Sequence, residues 1–105
     1  MKHAEHDAQV ALIKWWGYAH KQYGLPEFAL FAVPNGGQRH IAVAAKLKSE
    51  GVRRGIFDLF LLARRGEYSM LAVEMKVGKN KLTKEQDDFR VYAQDEGIKC
   101  VVCYG

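Results

Sequence analysis

Two runs of sequence decide the fold of this chain: Gly55-Ile56-Phe57-Asp58-Leu59-Phe60-Leu61-Leu62 and Tyr68-Ser69-Met70-Leu71-Ala72-Val73-Glu74-Met75-Lys76-Val77, joined through Arg64-Arg65-Gly66. From Ile56 to Leu62 every residue is apolar except Asp58, the signature of a strand covered on both faces. An ionised carboxylate in such a strand is costly unless it has a partner or a metal. In the second run Glu74 and Lys76 are two apart and project from one face, while Val73, Met75 and Val77 project from the other. The two strands read as an antiparallel hairpin around Gly66. If Arg64 pairs with Tyr68 across a three-residue loop, Asp58 falls directly opposite Glu74, with Cβ atoms about 4.5–5.5 Å apart. A two-residue turn at Arg65-Gly66 would instead send Glu74 to the far side of the sheet, because a one-residue slip flips every side chain. The reading therefore requires an odd loop of three or five residues containing Gly66, or a β-bulge that restores the parity. Two carboxylates and a lysine then meet on one patch. Carboxylates that close repel unless a cation lies between them, and Mg²⁺ accepts one or two carboxylates and completes its shell with water and phosphate.

Outward from the hairpin, apolar residues recur at three- and four-residue steps from Ala4 to Tyr23 (Ala8, Leu12, Trp15, Trp16, Ala19, Tyr23), which predicts a helix stopped by Gly24-Leu25-Pro26. Phe28 to Val33 reads as a short strand, and Pro34-Asn35-Gly36-Gly37 as a turn. A second helix is expected from Arg39 to Glu50, with Ile41, Ala44, Ala45 and Leu47 facing the core and Gly51 as its C′ residue. Thr83-Lys84-Glu85-Gln86 fits a capping box, with Thr83 as N-cap and Gln86 at the third helical position. Phe89, Tyr92 and Ala93 form the apolar face of that last helix. After Gly97, Lys99 to Cys103 closes the chain as a strand. The predicted order is α-β-α-β-β-α-β, an α/β chain whose mixed sheet is flanked by helices.

The chain has 105 residues, the size of one domain, and 1–105 reads as a single unit. It is 49% apolar and 27% charged, which excludes intrinsic disorder. No apolar run approaches the roughly 20 residues of a membrane span, and the first residues lack the apolar stretch of a signal peptide. Two cysteines exclude a disulfide framework, so a reducing, cytoplasmic setting is expected. Cys100 and Cys103 are three apart on a strand and point to opposite faces, which makes them buried free thiols rather than one metal site. His3, His6, His20 and His40 show no ligand spacing.

The formal charge is +4, and its distribution says more than its size. Arg53 and Arg54 are adjacent, and Lys76, Lys79, Lys81 and Lys84 crowd one short stretch. Basic residues bunched in connecting segments can meet phosphates. The turn at Asn35 and Gly36 can expose backbone N–H groups to a phosphate as well. Trp15 and Trp16 lie in an apolar helical stripe and belong to the core or to a subunit interface.

Taken in order, Glu5 and Gln9 on the opening helix, Val33-Pro34-Asn35-Gly36-Gly37, Gly55-Ile56-Phe57-Asp58, Glu74-Met75-Lys76 and Lys79 to Gln86 resemble the VRR-NUC domain of the PD-(D/E)xK nuclease superfamily. Phe57 stands where the superfamily name places Pro, at a neighbour position that varies. The resemblance spans nearly the whole chain and implies a restriction-endonuclease-like fold and a DNA endonuclease dependent on Mg²⁺ or Mn²⁺. It also implies 5′-phosphate and 3′-hydroxyl ends, a homodimer, and branched DNA such as a four-way junction as substrate. By the same resemblance Asp58 and Glu74 bind the metal with the Met75 carbonyl. Glu5 reaches the metal directly or through water, Lys76 orients the attacking water and offsets charge, and Gln86 supports the site. Arg53, Arg54, Lys79 and Lys81, with Asn35 and Gly36, are the candidate DNA contacts. Two alternatives are a nucleic-acid-binding module or relic without turnover, which would not need an intact Asp58, Glu74 and Lys76, and a sequence-specific restriction-type endonuclease. The latter would want further elements for base readout.

Overall fold

The computed structural model of the chain describes residues 2–34 and 41–104, with side chains from Ala4 onward. The order of elements is the expected one: α1 (Lys2–Ala19), β1 (Leu30–Ala32), α2 (Ile41–Ser49), β2 (Leu59–Leu61), β3 (Met70–Lys76), α3 (Lys84–Asp95) and β4 (Ile98–Tyr104). The four strands form one sheet in the order β1-β2-β3-β4. The first three are antiparallel neighbours, and β4 lies parallel to β3. A parallel neighbour needs a crossover, and α3 provides it.

Alternation along β3 divides its side chains between two layers. On one face Ala72 packs with Phe57 and Phe60, and Phe89 of α3 and Ile98 of β4 close over them. On the other, Leu59, Val73 and Met75 meet Ala8 and Leu12 of α1. Among the described residues no helix is long and apolar enough to cross a membrane.

The register of the central hairpin places Leu59 opposite Val73, Phe60 opposite Ala72 and Leu61 opposite Leu71. Continued by one residue, this sets Asp58 opposite Glu74, as the sequence arithmetic requires. The route to that register differs from the expected one. The tip is a tight two-residue turn, Gly66-Glu67, closed by reciprocal backbone hydrogen bonds of 3.0 Å between Arg65 and Tyr68. Gly66 has φ 56°, the left-handed conformation a primed hairpin turn wants at its first central residue. Between the turn and the regular ladder the first arm carries three residues (62–64) and the second two (69–70), so one extra residue is absorbed as a bulge. The Ala63 N–H donates to Leu61 O at 3.1 Å at that point.

Three further expectations are corrected. The first strand begins at Leu30 rather than Phe28, because Pro26 starts a 3-10 turn over Glu27–Ala29. The second is short, with Asp58 in a bend just before it. Helix α2 has no buried residue, and Ile41, expected in the core, is 85% exposed. Its end is as expected: Gly51 N–H donates to Lys48 O at 3.0 Å and Val52 N–H to Leu47 O at 3.0 Å, the Schellman pair. Trp16 is a core residue, 5% exposed, whose indole N–H donates to Glu27 O at 2.8 Å. Trp15 next to it is 43% exposed. Asn35 and Gly36 lie outside the described residues.

Candidate active site

Glu74 and Lys76 are the two buried charged residues among those described, 3% and 8% exposed. They lie on the face of β3 that α3 covers. Their ammonium and carboxylate are 3.7 Å apart, Lys76 Nζ to Glu74 Oε2. The first turn of α3 supplies the second hold on that oxygen. Thr83 Oγ1 accepts from the Gln86 N–H at 3.2 Å, and Gln86 Oε1 accepts from the Thr83 N–H at 2.9 Å, completing the capping box. The other end of the Gln86 amide, Nε2, donates to Glu74 Oε2 at 3.0 Å. One side chain thus starts the helix and orients the carboxylate.

Asp58 is tied in on both sides. Its carbonyl accepts from Val33 N–H at 2.9 Å, continuing the β1–β2 ladder. Its Oδ2 accepts from the Met75 N–H at 2.9 Å, which brings its carboxylate to β3 beside Glu74. Glu5 stands one step back. Asn80 Nδ2 donates to Glu5 Oε2 at 3.5 Å, and the Tyr104 hydroxyl donates to Asn80 O at 3.0 Å. The start of α1, the loop after β3 and the end of β4 are therefore joined at one point. Among the described residues no three His, Cys, Asp or Glu side chains come together as a ready-made metal cluster.

Burial pushes the Glu74 carboxyl up to about 7 from its ordinary 4.5; the charge of Asp58 adds to this, Lys76 opposes it, and Glu5 contributes least. Its Oε1 is buried and has no hydrogen-bond partner among the described residues. A group whose folded pKa is raised contributes stability that is complete below about 4.5 and is lost as pH rises to about 7. Without divalent cations, the chain should lose on the order of 3 kcal/mol between pH 4.5 and 7.5 relative to a Glu74→Gln variant. Thermal melts of the two proteins across that range check this, and parallel profiles would contradict it.

Arg53, Arg54, Lys79 and Lys81 are all exposed. Lys79 and Lys81 flank Asn80, and the Arg53-Arg54 loop abuts the first turn of α3 through Gly55. Lys84 is instead committed to Asp88 at 3.0 Å. Both cysteines are free, Cys100 half-buried and Cys103 exposed rather than buried as expected. The sequence reading gave no role to Gly55 or Asn80, which it met only inside longer motifs, and did not mark Tyr104. For Gly55 a signal existed, a glycine three residues before the candidate site residue Asp58. For Asn80 and Tyr104, 24 residues apart, there was none. It also missed an apolar groove of about 480 Å³ under the C-terminal half of α1, lined by Leu12, Trp15, Tyr23, Leu25, Leu71 and Val101 among others.

With that geometry in place, the VRR-NUC domain family matches the chain over residues 2–105. A solved structure described as a VRR_NUC domain protein superposes with a TM-score of 0.77 at 29% identity, covering 96% of this chain and 77% of that one. No curated protein matches the chain.

Proposed function

The chain belongs to the VRR-NUC domain family, a family of nucleases with a restriction-endonuclease-like fold, and on that premise we propose that it is a metal-dependent endonuclease of branched DNA. The observation that carries the metal is Glu74 Oε1, a buried carboxylate oxygen with no hydrogen-bond partner among the described residues, next to a second acidic side chain. A carboxyl held near neutrality by burial and a like charge is what a site looks like when it is built around a cation. The donor set fits Mg²⁺ or Mn²⁺: Asp58 and Glu74 would hold it, with the Met75 carbonyl and, directly or through water, Glu5. A bound divalent ion would polarise the phosphate and lower the pKa of a bound water.

The chain's own groups do the rest. Gln86 fixes the Glu74 carboxylate from one side, and the Met75 N–H fixes Asp58. Lys76, held buried beside Glu74, aligns the attacking water and places a positive charge where negative charge grows on the phosphate. Arg53, Arg54, Lys79 and Lys81 contact the backbone phosphates. The test is the purified chain against linear, flap and four-way-junction DNA with Mg²⁺, Mn²⁺ or EDTA. Preferential cutting of the branched forms, abolished by EDTA, is the expected result. Equal cutting in EDTA would remove the metal, and equal cutting of linear DNA would remove the branch preference.

We also propose a homodimer, because two sites related by a two-fold axis match a two-fold junction. The support on this chain is Trp15, with Tyr23 at the same groove, both exposed although large and aromatic; such residues anchor interface centres. Trp16 lines the same groove but is buried and spends its indole N–H on Glu27 O, so the anchor falls to Trp15. A solution mass of twice the 11.9 kDa chain at micromolar concentration is expected, falling to the monomer in Trp15→Ala. A monomeric wild type would defeat the proposal.

A further inference from the structure

We infer that Gly55 is a positioning residue of the site: its missing side chain is what lets the first turn of α3 come close enough for Gln86 to hold Glu74. The inference rests on the functional reading above and deepens it. Gly55 has φ 84°, and a Cβ built on it would lie 2.7 Å from Glu85 Cβ and 2.8 Å from both the backbone carbon and oxygen of Glu85. Backbone atoms cannot swing aside as a side-chain tip can, so any larger residue at 55 has to displace the helix start. Glu85 immediately precedes Gln86, whose amide spans Thr83 N–H and Glu74 Oε2.

The contact is the first of two along the same segment. Phe57 is fully buried, and its ring centroid is 5.4 Å from that of Phe89 on α3. Residues 55–58 therefore run along the helix, glycine against its first turn and phenylalanine against its second, and end at Asp58. The same short piece of chain fixes the height of Gln86 and delivers the second carboxylate. Arg53 and Arg54 precede it directly, so the loop that would grip phosphate is seated against the helix that orients Glu74.

A fold-wide role is separated from this one by Gly51, in the same loop. Gly51 also has positive φ, 99°, yet a Cβ there meets nothing within 4 Å. Gly51→Ala and Gly55→Ala both strain the backbone, and only the second meets the helix. In the full chain Gly51→Ala should lose thermal stability but keep the wild-type NMR signals of the Gln86 side-chain amide and the wild-type Mg²⁺ affinity. Gly55→Ala should shift those amide signals, speed their exchange several-fold, and weaken Mg²⁺ binding by roughly 10-fold or more, as removing a ligand's outer support does. A Gly55→Ala chain matching Gly51→Ala in both readouts would overturn the inference. Native-state hydrogen exchange on the wild type tests it without a variant. The amides of residues 55–57 and those of the first turn of α3 should open as one unit, and independent opening would overturn it. If the wild type neither binds Mg²⁺ nor cuts DNA, the functional reading falls, while the Gln86 amide comparison still judges Gly55.

Discussion

Glu74→Gln should lose DNA cleavage by roughly a thousandfold or more while folding at least as well as the wild type at pH 8. The two halves of that expectation come from one environment. Burial and the charge of Asp58 disfavour ionised Glu74 even against the pull of Lys76. A neutral amide of the same shape removes that penalty and can still accept the Gln86 Nε2–H. The same substitution would remove an anionic ligand from the proposed metal site. Asp58→Ala and Lys76→Ala should be as inactive, but Asp58→Ala also strips the acceptor from the Met75 N–H. An unpaired buried donor costs about 1–3 kcal/mol, so that variant should melt lower. Cleavage rates alongside thermal melts for the three check this. A folded variant with the wild-type rate would take its residue out of the site.

Removing charge together at Arg53, Arg54, Lys79 and Lys81 should weaken DNA binding on the order of 10³-fold at 0.1 M salt, equally for unrelated sequences. Among the described residues none of the four is engaged in an ion pair, unlike Lys84 and Arg90. Their charge is therefore available to displace counterions. The plot of log affinity against log salt should flatten by roughly 0.9 for each phosphate no longer neutralised. Binding titrations at several salt concentrations decide it, and an unchanged slope would place these residues outside the interface.

Short-range periodicity made the centre of the candidate site legible. Glu74 and Lys76 share a face because alternation in a strand admits no other outcome, and Gln86 was marked by the Thr83 capping box. Asp58 opposite Glu74 followed from pairing arithmetic, yet the assumed Arg64–Tyr68 loop was not the route. The ladder reaches the same register through a tight turn plus a bulge, and loop residues alone do not separate those solutions. Helix rotation was less legible. Trp15 and Trp16 differ by about 100° around α1, and both fit an apolar stripe, but only Trp16 finds a carbonyl inside. The α2 pattern was apolar enough to predict burial, which needs a surface to pack on that periodicity cannot supply. Tyr104, Asn80 and Glu5 meet only in three dimensions.

The extra residue between Leu61 and Arg65 also bears on how lineages of this domain can change length. Face assignment is settled at the bulge, below the hairpin tip, so the tip can drift. Exchanging Gly66-Glu67 for another two-residue turn, or lengthening it beyond Arg65 and Tyr68, leaves Asp58 against Glu74. Deleting a single residue from 62–64 has no such tolerance: the ladder must either slip, which turns the acidic face inside out, or rebuild its irregularity elsewhere. Surviving insertions and deletions should therefore collect at the apex of this hairpin and be absent from the three residues beneath it.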